Sequence, residues 1–113
     1  MTIYAINGSP RKTNNTATLL SEALAGAQAA LPGVETELIH LYSYNFNGCV
    51  SCFECKRLGG KSYGHCALRD EASPLLDKLA QADGLIFGSP VYFHGITGKL
   101  RMFLKRLFFP CLV

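Results

Sequence analysis

Short apolar runs and helical stripes alternate along the first part of the chain. The first run, Ile3–Ile6, ends at Asn7 and is typical of a parallel strand buried on both faces. Apolar residues then recur at helical spacing until Pro32, which predicts a helix over residues 15–31. Partial alternation over Val34–Leu41 predicts a second strand. A crossover helix of this length implies that the two strands are parallel and the connection right-handed.

The second half of the chain resumes the alternation after an irregular segment. From Tyr42 to about Arg69 the pattern breaks down into glycine, asparagine, serine, tyrosine and four cysteines, and a loop of this length requires a function or a ligand to order it. Ser73–Pro74 predicts a helix start, a cap followed by a first-turn proline. Gly84–Gly88 reads as a third buried strand, and Ile96–Phe109 as a last helix whose basic residues form a solvated face. These are Lys99, Arg101, Lys105 and Arg106.

This order of elements predicts an α/β sheet of three strands and three helices. In such sheets ligands bind in a crevice at the carboxyl ends of the strands. The loop after the first strand and the loop Ser89–Gly98 after the third are therefore expected to face each other there.

The loop between the first strand and the first helix has the composition of an anion site. Residues 9–16 supply hydroxyl and amide donors together with the charges of Arg11 and Lys12, and they lead directly into a helix. The free N–H groups and the positive dipole end of a helix attract phosphate. Neither of the two best-known phosphate-loop motifs is present. A mononucleotide phosphate is expected, which the loop alone does not name. An ordinary turn with a polar cap is the alternative.

Composition narrows the class of protein further. Of 113 residues, 49% are apolar and 17% are charged, which indicates one globular domain. The net charge of +3 is modest, and it does not argue for nucleic acid. No apolar stretch approaches the roughly 20 residues of a membrane span, and no room for a signal peptide precedes the first strand, so a cytoplasmic location is expected. The five cysteines are then expected as ligands, redox groups or buried thiols rather than disulfides.

Three motifs together resemble a known family. Gly8–Thr16, Gly48–Cys55 and Ala82–Leu100 are similar to the NADPH-dependent FMN reductase-like flavoproteins, and within that group to the iron–sulfur flavoproteins of anaerobes. The resemblance covers nearly all of residues 1–113. It implies the N-terminal part of a flavodoxin-like, doubly wound FMN-binding domain with strand order 2-1-3 and a cysteine-rich loop at about residues 45–69.

The resemblance also implies two groups of FMN-binding residues. The phosphate would be held by Ser9, Arg11, Asn15, Thr16 and Ala17. The isoalloxazine ring would be wrapped by Pro90, Val91, Tyr92, Phe93 and Gly95. This division agrees with physical expectation, because an anion suits a helix N-terminus and a flat ring suits an apolar loop. A packing role for the two aromatic residues is the alternative, and His94 is interpreted as a loop or packing residue rather than a proton donor.

The cysteine spacing carries a separate hypothesis. Cys49, Cys52 and Cys55 follow C-x2-C-x2-C, which is more typical of a [4Fe–4S] cluster than of zinc. The fourth ligand would be Cys66, although ten residues separate it from Cys55, more than is usual among the iron–sulfur members. Free or redox-active thiols and a zinc site remain open alternatives. Cys111 is interpreted as a buried or unpaired thiol without function.

These expectations combine into a functional hypothesis. The chain is predicted to be an FMN-dependent oxidoreductase that passes electrons from NAD(P)H or a reduced carrier to an acceptor, through a [4Fe–4S] cluster if one is bound, with no catalytic residue of its own assigned. A non-enzymatic electron carrier and an inactive remnant are the alternatives. Only three of the usual five flavodoxin-like strands are found, which would leave the third as an exposed apolar edge. A truncated version of a longer protein is expected, or a partner subunit that covers the edge; a homo-oligomer is expected as well.

Overall fold

The computed structural model describes residues 1–112 and shows an α/β arrangement with the elements in the expected order. Three strands and three α-helices lie within those residues: β1 (Thr2–Asn7), α1 (Asn15–Ala30), β2 (Glu35–His40), α2 (Ala72–Ala80), β3 (Gly84–Gly88) and α3 (Gly98–Phe108). Of the predicted domain 1–113, Val113 lies outside the described residues. None of the described helices has the length and apolar character needed to cross a membrane.

The sheet is fully parallel, with β1 in the centre and the order β2-β1-β3. In the register, Ile6 pairs with Ile39 on one side and with Phe87 on the other. Side chains alternate between the two faces of a strand. Accordingly, Ala5 packs toward α1 while Ile6 joins the core on the opposite face. Helices therefore cover both faces, and the predicted doubly wound architecture and strand order are confirmed.

The larger core lies between the sheet and the pair α2 and α3. Phe103 of α3 is fully buried, and its ring packs edge-on against Phe46 with centroids 5.9 Å apart. Phe46 belongs to the cysteine-rich segment, so that segment is packed onto the domain by its own aromatic side chain. The other buried members of this core are Ile6, Ile39, Leu41, Ala72, Leu75, Leu76, Leu79, Leu100 and Leu107.

The start of α2 differs from the prediction. The helix begins at Ala72, and Ser73 lies inside its first turn rather than at the cap. The Ser73 hydroxyl donates to the carbonyl of Leu68 at 3.1 Å and accepts from the N–H of Asp70 at 3.0 Å. Predicting Ser73 as the cap was wrong because its hydroxyl bonds to the segment before the helix, while the Asp70 carboxylate accepts the N–H of Ala72 at 3.1 Å.

The last helix also corrects the sequence interpretation. It begins at Gly98, and the N-cap Thr97 accepts a hydrogen bond from the N–H of Leu100. The predicted solvated face does not include Arg106, which is only 2% exposed. The ammonium of Lys99 lies over the ring of Tyr42, 5.2 Å from its centroid, which leaves Arg101 and Lys105 as the exposed members.

Candidate functional site

One buried amide shapes the loop that joins β1 to α1. Asn7, the last residue of β1, is fully buried. Its side-chain oxygen accepts the N–H of Ser9 at 3.0 Å, and its side-chain nitrogen donates to the carbonyl of Arg11 at 3.1 Å. The Ser9 hydroxyl in turn accepts the N–H of Arg11 at 3.1 Å. The loop is therefore closed on itself before the helix begins. The sequence analysis missed this role of Asn7. The available signal was the tendency of asparagine side chains to hydrogen-bond the backbone two residues further along the chain.

The same loop is joined to the end of β3. The N–H of Gly8 donates to the carbonyl of Gly88 at 2.8 Å, and the Thr97 hydroxyl donates to the carbonyl of Gly8 at 2.6 Å. A Cβ at Gly8 would lie 2.9 Å from Leu100 Cδ2 and 3.0 Å from the Gly88 oxygen. Only glycine permits this approach without displacement. The two strand-end loops thus share one edge of the sheet.

The N-terminus of α1 opens toward the same edge. First-turn N–H groups have no partner within a helix. The N-cap Asn14 makes no side-chain capping bond, and the first turn of α1 contains no acidic residue. These donors face an open depression of ≈ 230 Å³, whose lining residues are Ser9, Arg11, Asn14, Asn15, Thr16, Pro90 and Tyr92. An uncapped helix N-terminus beside a guanidinium is an electropositive site suited to an anion.

The depression unites part of each predicted group. Four of the five predicted phosphate residues and two of the five predicted ring residues line it: Ser9, Arg11, Asn15, Thr16, Pro90 and Tyr92. Ala17 is buried, and Val91 and Phe93 are 79% and 96% exposed. Gly95 pairs with Tyr92, whose N–H donates to the Gly95 carbonyl at 2.8 Å. The binding roles of both groups stay predictions.

Residues 90–95, called the aromatic loop below, reverse direction over two strained residues. Between Tyr92 and Gly95, the backbone of Phe93 and His94 is left-handed, with φ of 46° and 68°. Such a conformation costs about 1–3 kcal/mol at a non-glycine residue and occurs preferentially at functional sites. The turn holds the Phe93 ring in solvent, edge-on to the His94 ring at a centroid distance of 5.2 Å. The residue after Tyr92, which lines the depression, therefore exposes an apolar ring.

The cysteines meet elsewhere, between the irregular segment and α3. A narrow apolar crevice is lined by Cys49, Cys52, Cys55 and Cys66, with Arg106 and Phe109 among its other walls. Its volume is ≈ 20 Å³, room for about one water molecule. Within residues 1–112, no three or more histidine, cysteine or acidic side chains are grouped so as to hold a metal ion. The thiol set suits a cluster in kind, but its present arrangement does not fit one.

Arg106 fastens this segment to α3. Its guanidinium donates to both oxygens of Asp70 at 2.9 and 2.8 Å, and to the carbonyls of Asn47 at 3.0 Å and Leu68 at 2.9 Å. Its Nε lies 3.4 Å from Cys66 Sγ. Burial alone would raise the pKa of Asp70, but the hydrogen bonds from Arg106 and from two backbone N–H groups lower it below its ordinary 3.8. The carboxylate therefore stays charged against the buried cation.

The parallel sheet is covered by helices on both faces, and a polar loop and a helix N-terminus lie at its carboxyl edge. This architecture, with the strand order β2-β1-β3, is that of a flavodoxin-like α/β protein. Residues 1–111 match the model of the family described as NADPH-dependent FMN reductase. The chain belongs to that family, as its motifs predicted.

Known relatives agree with this assignment. The chain is 41% identical over 106 residues to an iron-sulfur flavoprotein of Methanocaldococcus jannaschii, covering 94% of this chain and 51% of the relative. A crystal structure of an NADH:FMN oxidoreductase in its apo form matches with a TM-score of 0.65 and 28% identity, covering 94% and 49% of the two chains. The azoreductase AzrA matches in fold, with a TM-score of 0.69 and 19% identity over 95% and 55% of the chains. The chain spans about half the length of the curated relatives it matches.

Proposed function

We propose that this chain binds FMN and serves an FMN-dependent oxidoreductase, with NAD(P)H or a reduced carrier as donor. One observation carries the proposal: the uncapped N-terminus of α1, with Ser9 and Arg11, faces Pro90 and Tyr92 across a single depression. Membership of the NADPH-dependent FMN reductase family supports it. So does the 28% identity to a structure named as an NADH:FMN oxidoreductase.

The phosphate of FMN is proposed to lie at the α1 end of the depression. The hydrogen-bond donors at this end are the first-turn N–H groups, the Arg11 guanidinium and the Ser9 hydroxyl. Hydrogen bonds from such donors to a charged acceptor are stronger than those to a neutral one. The proposed set of phosphate-binding residues also includes Asn15, Thr16 and Ala17. Because no acidic residue stands in the first turn of α1, no like charge opposes the anion there.

The ring of FMN is proposed to lie on the aromatic loop. Pro90 and Tyr92 line the depression, and Val91 and Phe93, which flank Tyr92 in the sequence, expose apolar surface. Gly95 pairs with Tyr92 and fixes the base of the turn. A planar apolar ring gains by covering such surface. FMN, when bound, supplies the hydride and electron chemistry. The described lining contains no aspartate, glutamate, histidine or cysteine, so the chain's own part is binding and orientation.

Flavin titration of matched variants tests the phosphate site. Arg11 lines the depression, whereas its neighbour Lys12 does not. We expect Arg11→Gln to weaken FMN binding about 10- to 100-fold, the value of a charged hydrogen bond, and Lys12→Gln to change it less than about threefold. Quenching of flavin fluorescence measures both. Equal effects of the two variants, or no FMN uptake by the wild-type chain, would contradict the proposal.

Anaerobic reduction tests the oxidoreductase part. FMN-loaded protein is mixed with NADH or NADPH, and bleaching of the flavin absorbance is followed. Reduction faster than that of free FMN at the same concentration supports a direct reaction with the nucleotide. If dithionite bleaches the flavin while neither nucleotide does so above the free-FMN rate, the non-enzymatic carrier is favoured instead.

The cysteine crevice carries the second candidate, a [4Fe–4S] cluster on Cys49, Cys52, Cys55 and Cys66. The four thiols share one crevice, and the relative from Methanocaldococcus jannaschii bears the name iron-sulfur flavoprotein. Cys49 and Cys52 are exposed while Cys55 is buried, so we propose that a cluster assembles only after the exposed pair moves inward. Ser51 and Phe53, which lie between these cysteines, hold left-handed φ of 59° and 58°, so the backbone there is strained without a cluster.

Elemental analysis decides among cluster, zinc and free thiols. Iron, sulfide, zinc and thiol content are measured on protein prepared without oxygen, for the wild type, Cys52→Ala and Cys111→Ala. Iron and sulfide that are lost in Cys52→Ala and retained in Cys111→Ala support the cluster. Zinc without sulfide, or five titratable thiols without metal, overturns it.

A further inference from the structure

His40, at the end of β2, contacts the loop between β1 and α1, although its side chain does not line the depression. The parallel register sets Asn7 beside His40, the last residues of β1 and β2. The Asn7 side-chain nitrogen lies 3.1 Å from His40 Nδ1. The half-buried imidazole therefore contacts the same amide that closes the loop.

The orientation of the Asn7 amide follows from its partners. Its oxygen meets an N–H, that of Ser9, and its nitrogen meets a carbonyl, that of Arg11. Turning the amide over would set donor against donor and acceptor against acceptor. The second N–H of the amide is then directed at His40 Nδ1, which must accept. The hydrogen-bond network thus assigns the His40 proton to Nε2.

We propose that Asn7 and His40 are positioning residues for the phosphate end of the depression. This rests on the proposed FMN function. Asn7 fixes the Ser9 N–H and the Arg11 carbonyl, and His40 holds the amide that does so. Neither residue lines the depression, so neither is a ligand of the phosphate. Their effect is to pre-form the loop, and a loop that is ordered before binding loses less entropy when the anion arrives.

Comparison of FMN with riboflavin separates positioning from general structural damage. Riboflavin carries the same ring without the phosphate. We expect Asn7→Ala and His40→Leu to weaken FMN binding about tenfold while riboflavin affinity changes less than about threefold. His40→Gln retains an acceptor and is expected to lie closer to the wild type. Equal losses for both flavins, or unchanged FMN affinity in both variants, would overturn the proposal.

Amide hydrogen exchange of the ligand-free protein tests, without flavin, whether Asn7 and His40 order the loop. Faster exchange confined to residues 8–17 in His40→Leu and Asn7→Ala is the expected result. His40 is half-buried, so its leucine variant keeps the test available if Asn7→Ala does not fold. Unchanged exchange in the loop would overturn the proposal that Asn7 and His40 order it. If the wild type takes up no FMN but the variants show faster loop exchange, the proposed function is wrong and the ordering of the loop by these two residues is supported.

Discussion

The guanidinium of Arg106 contacts three separate stretches of the irregular segment. It meets Asn47 near the first cysteine, Cys66 and Leu68 near the last, and Asp70 just before α2. Its side chain is fully buried, and that of Asp70 is 19% exposed. A charge so placed is tolerated because each donor has a partner. Arg106 therefore holds both ends of the cysteine-rich segment against α3.

Removing the cation is expected to destabilise the fold. Arg106→Met leaves the Asp70 carboxylate without its main partner, and loss of one member of a buried pair costs about 3–5 kcal/mol. The partial exposure of Asp70 points to the lower end of that range. The matched control is Lys105→Met on the exposed side of α3, which should cost less than about 0.5 kcal/mol. Urea unfolding measures both, and equal losses would contradict the assigned role.

The acid side of the stability profile should depend on Asp70. Its folded pKa lies below 3.8, so its contribution is complete above the ordinary pKa and is lost as the pH falls through the folded value. We therefore expect wild-type stability to fall more steeply below about pH 4 than that of Asp70→Asn, which has no such carboxylate. Unfolding free energies at a series of pH values give the two slopes. Parallel curves would show that Asp70 is not held in its charged form.

At the residue scale, a local sequence pattern indicates polar donors, but it does not indicate the residues that hold them in place. The polarity of Ser9, Arg11 and Thr16 just before a helix is a local pattern that predicts an anion site, and their binding roles stay predictions. The prediction that Arg106 lies on the solvated face was wrong, since it stands three residues after the buried Phe103 and that spacing places it on the apolar side. The pattern indicates only that the first apolar run ends at Asn7. Its bond to His40 depends on strand register, which a local pattern does not contain.

The junction of β1 with α1 depends on close approach between elements. Gly8 lies where the first strand, β3 and α3 meet, and a Cβ there would collide with Leu100 and with the carbonyl of Gly88. Gly26, on the exposed side of α1, has nothing within 4 Å of such a Cβ. The two glycines therefore serve opposite purposes: the first permits packing, whereas the second only lowers helix propensity.

Alanine at these two glycines should have opposite effects on stability. Gly8→Ala is expected to destabilise the protein by about 1–3 kcal/mol because the extra methyl group must displace its neighbours. Gly26→Ala should stabilise it by about 0.5–1 kcal/mol through helix propensity. Thermal or urea unfolding gives both values. A neutral Gly8→Ala would show that β3 and α3 are not packed against the loop as described.

Helices and strands were predicted correctly where the local sequence pattern is strong, and wrongly where tertiary contacts decide. Short apolar runs between turn residues predict the first and third strands and partial alternation predicts the second, and the predicted strand order is confirmed. The start of α2 was misplaced because Ser73 bonds to Leu68, a contact made by tertiary folding of the preceding segment. The path of the cysteine-rich segment was not predictable, since Phe46 and Arg106 fix it through contacts distant in sequence.

At the scale of the whole molecule, the sheet has an apolar edge. Within residues 1–112, β3 pairs only with β1, and all five of its residues are half-buried. Unpaired strand edges of this kind promote association. We therefore expect this chain to form a homo-oligomer, and light scattering during size-exclusion chromatography should give more than one chain per particle. A monomeric mass across a concentration series would contradict this prediction.

Where the flavin phosphate binds is the claim on which the functional account depends most. Backbone amide resonances followed by NMR during an FMN titration locate that site directly. The account predicts the largest shifts at Ser9, Arg11 and residues 15–17, with smaller shifts near Tyr92. Largest shifts at the cysteine crevice, or none anywhere at saturating FMN, would contradict it.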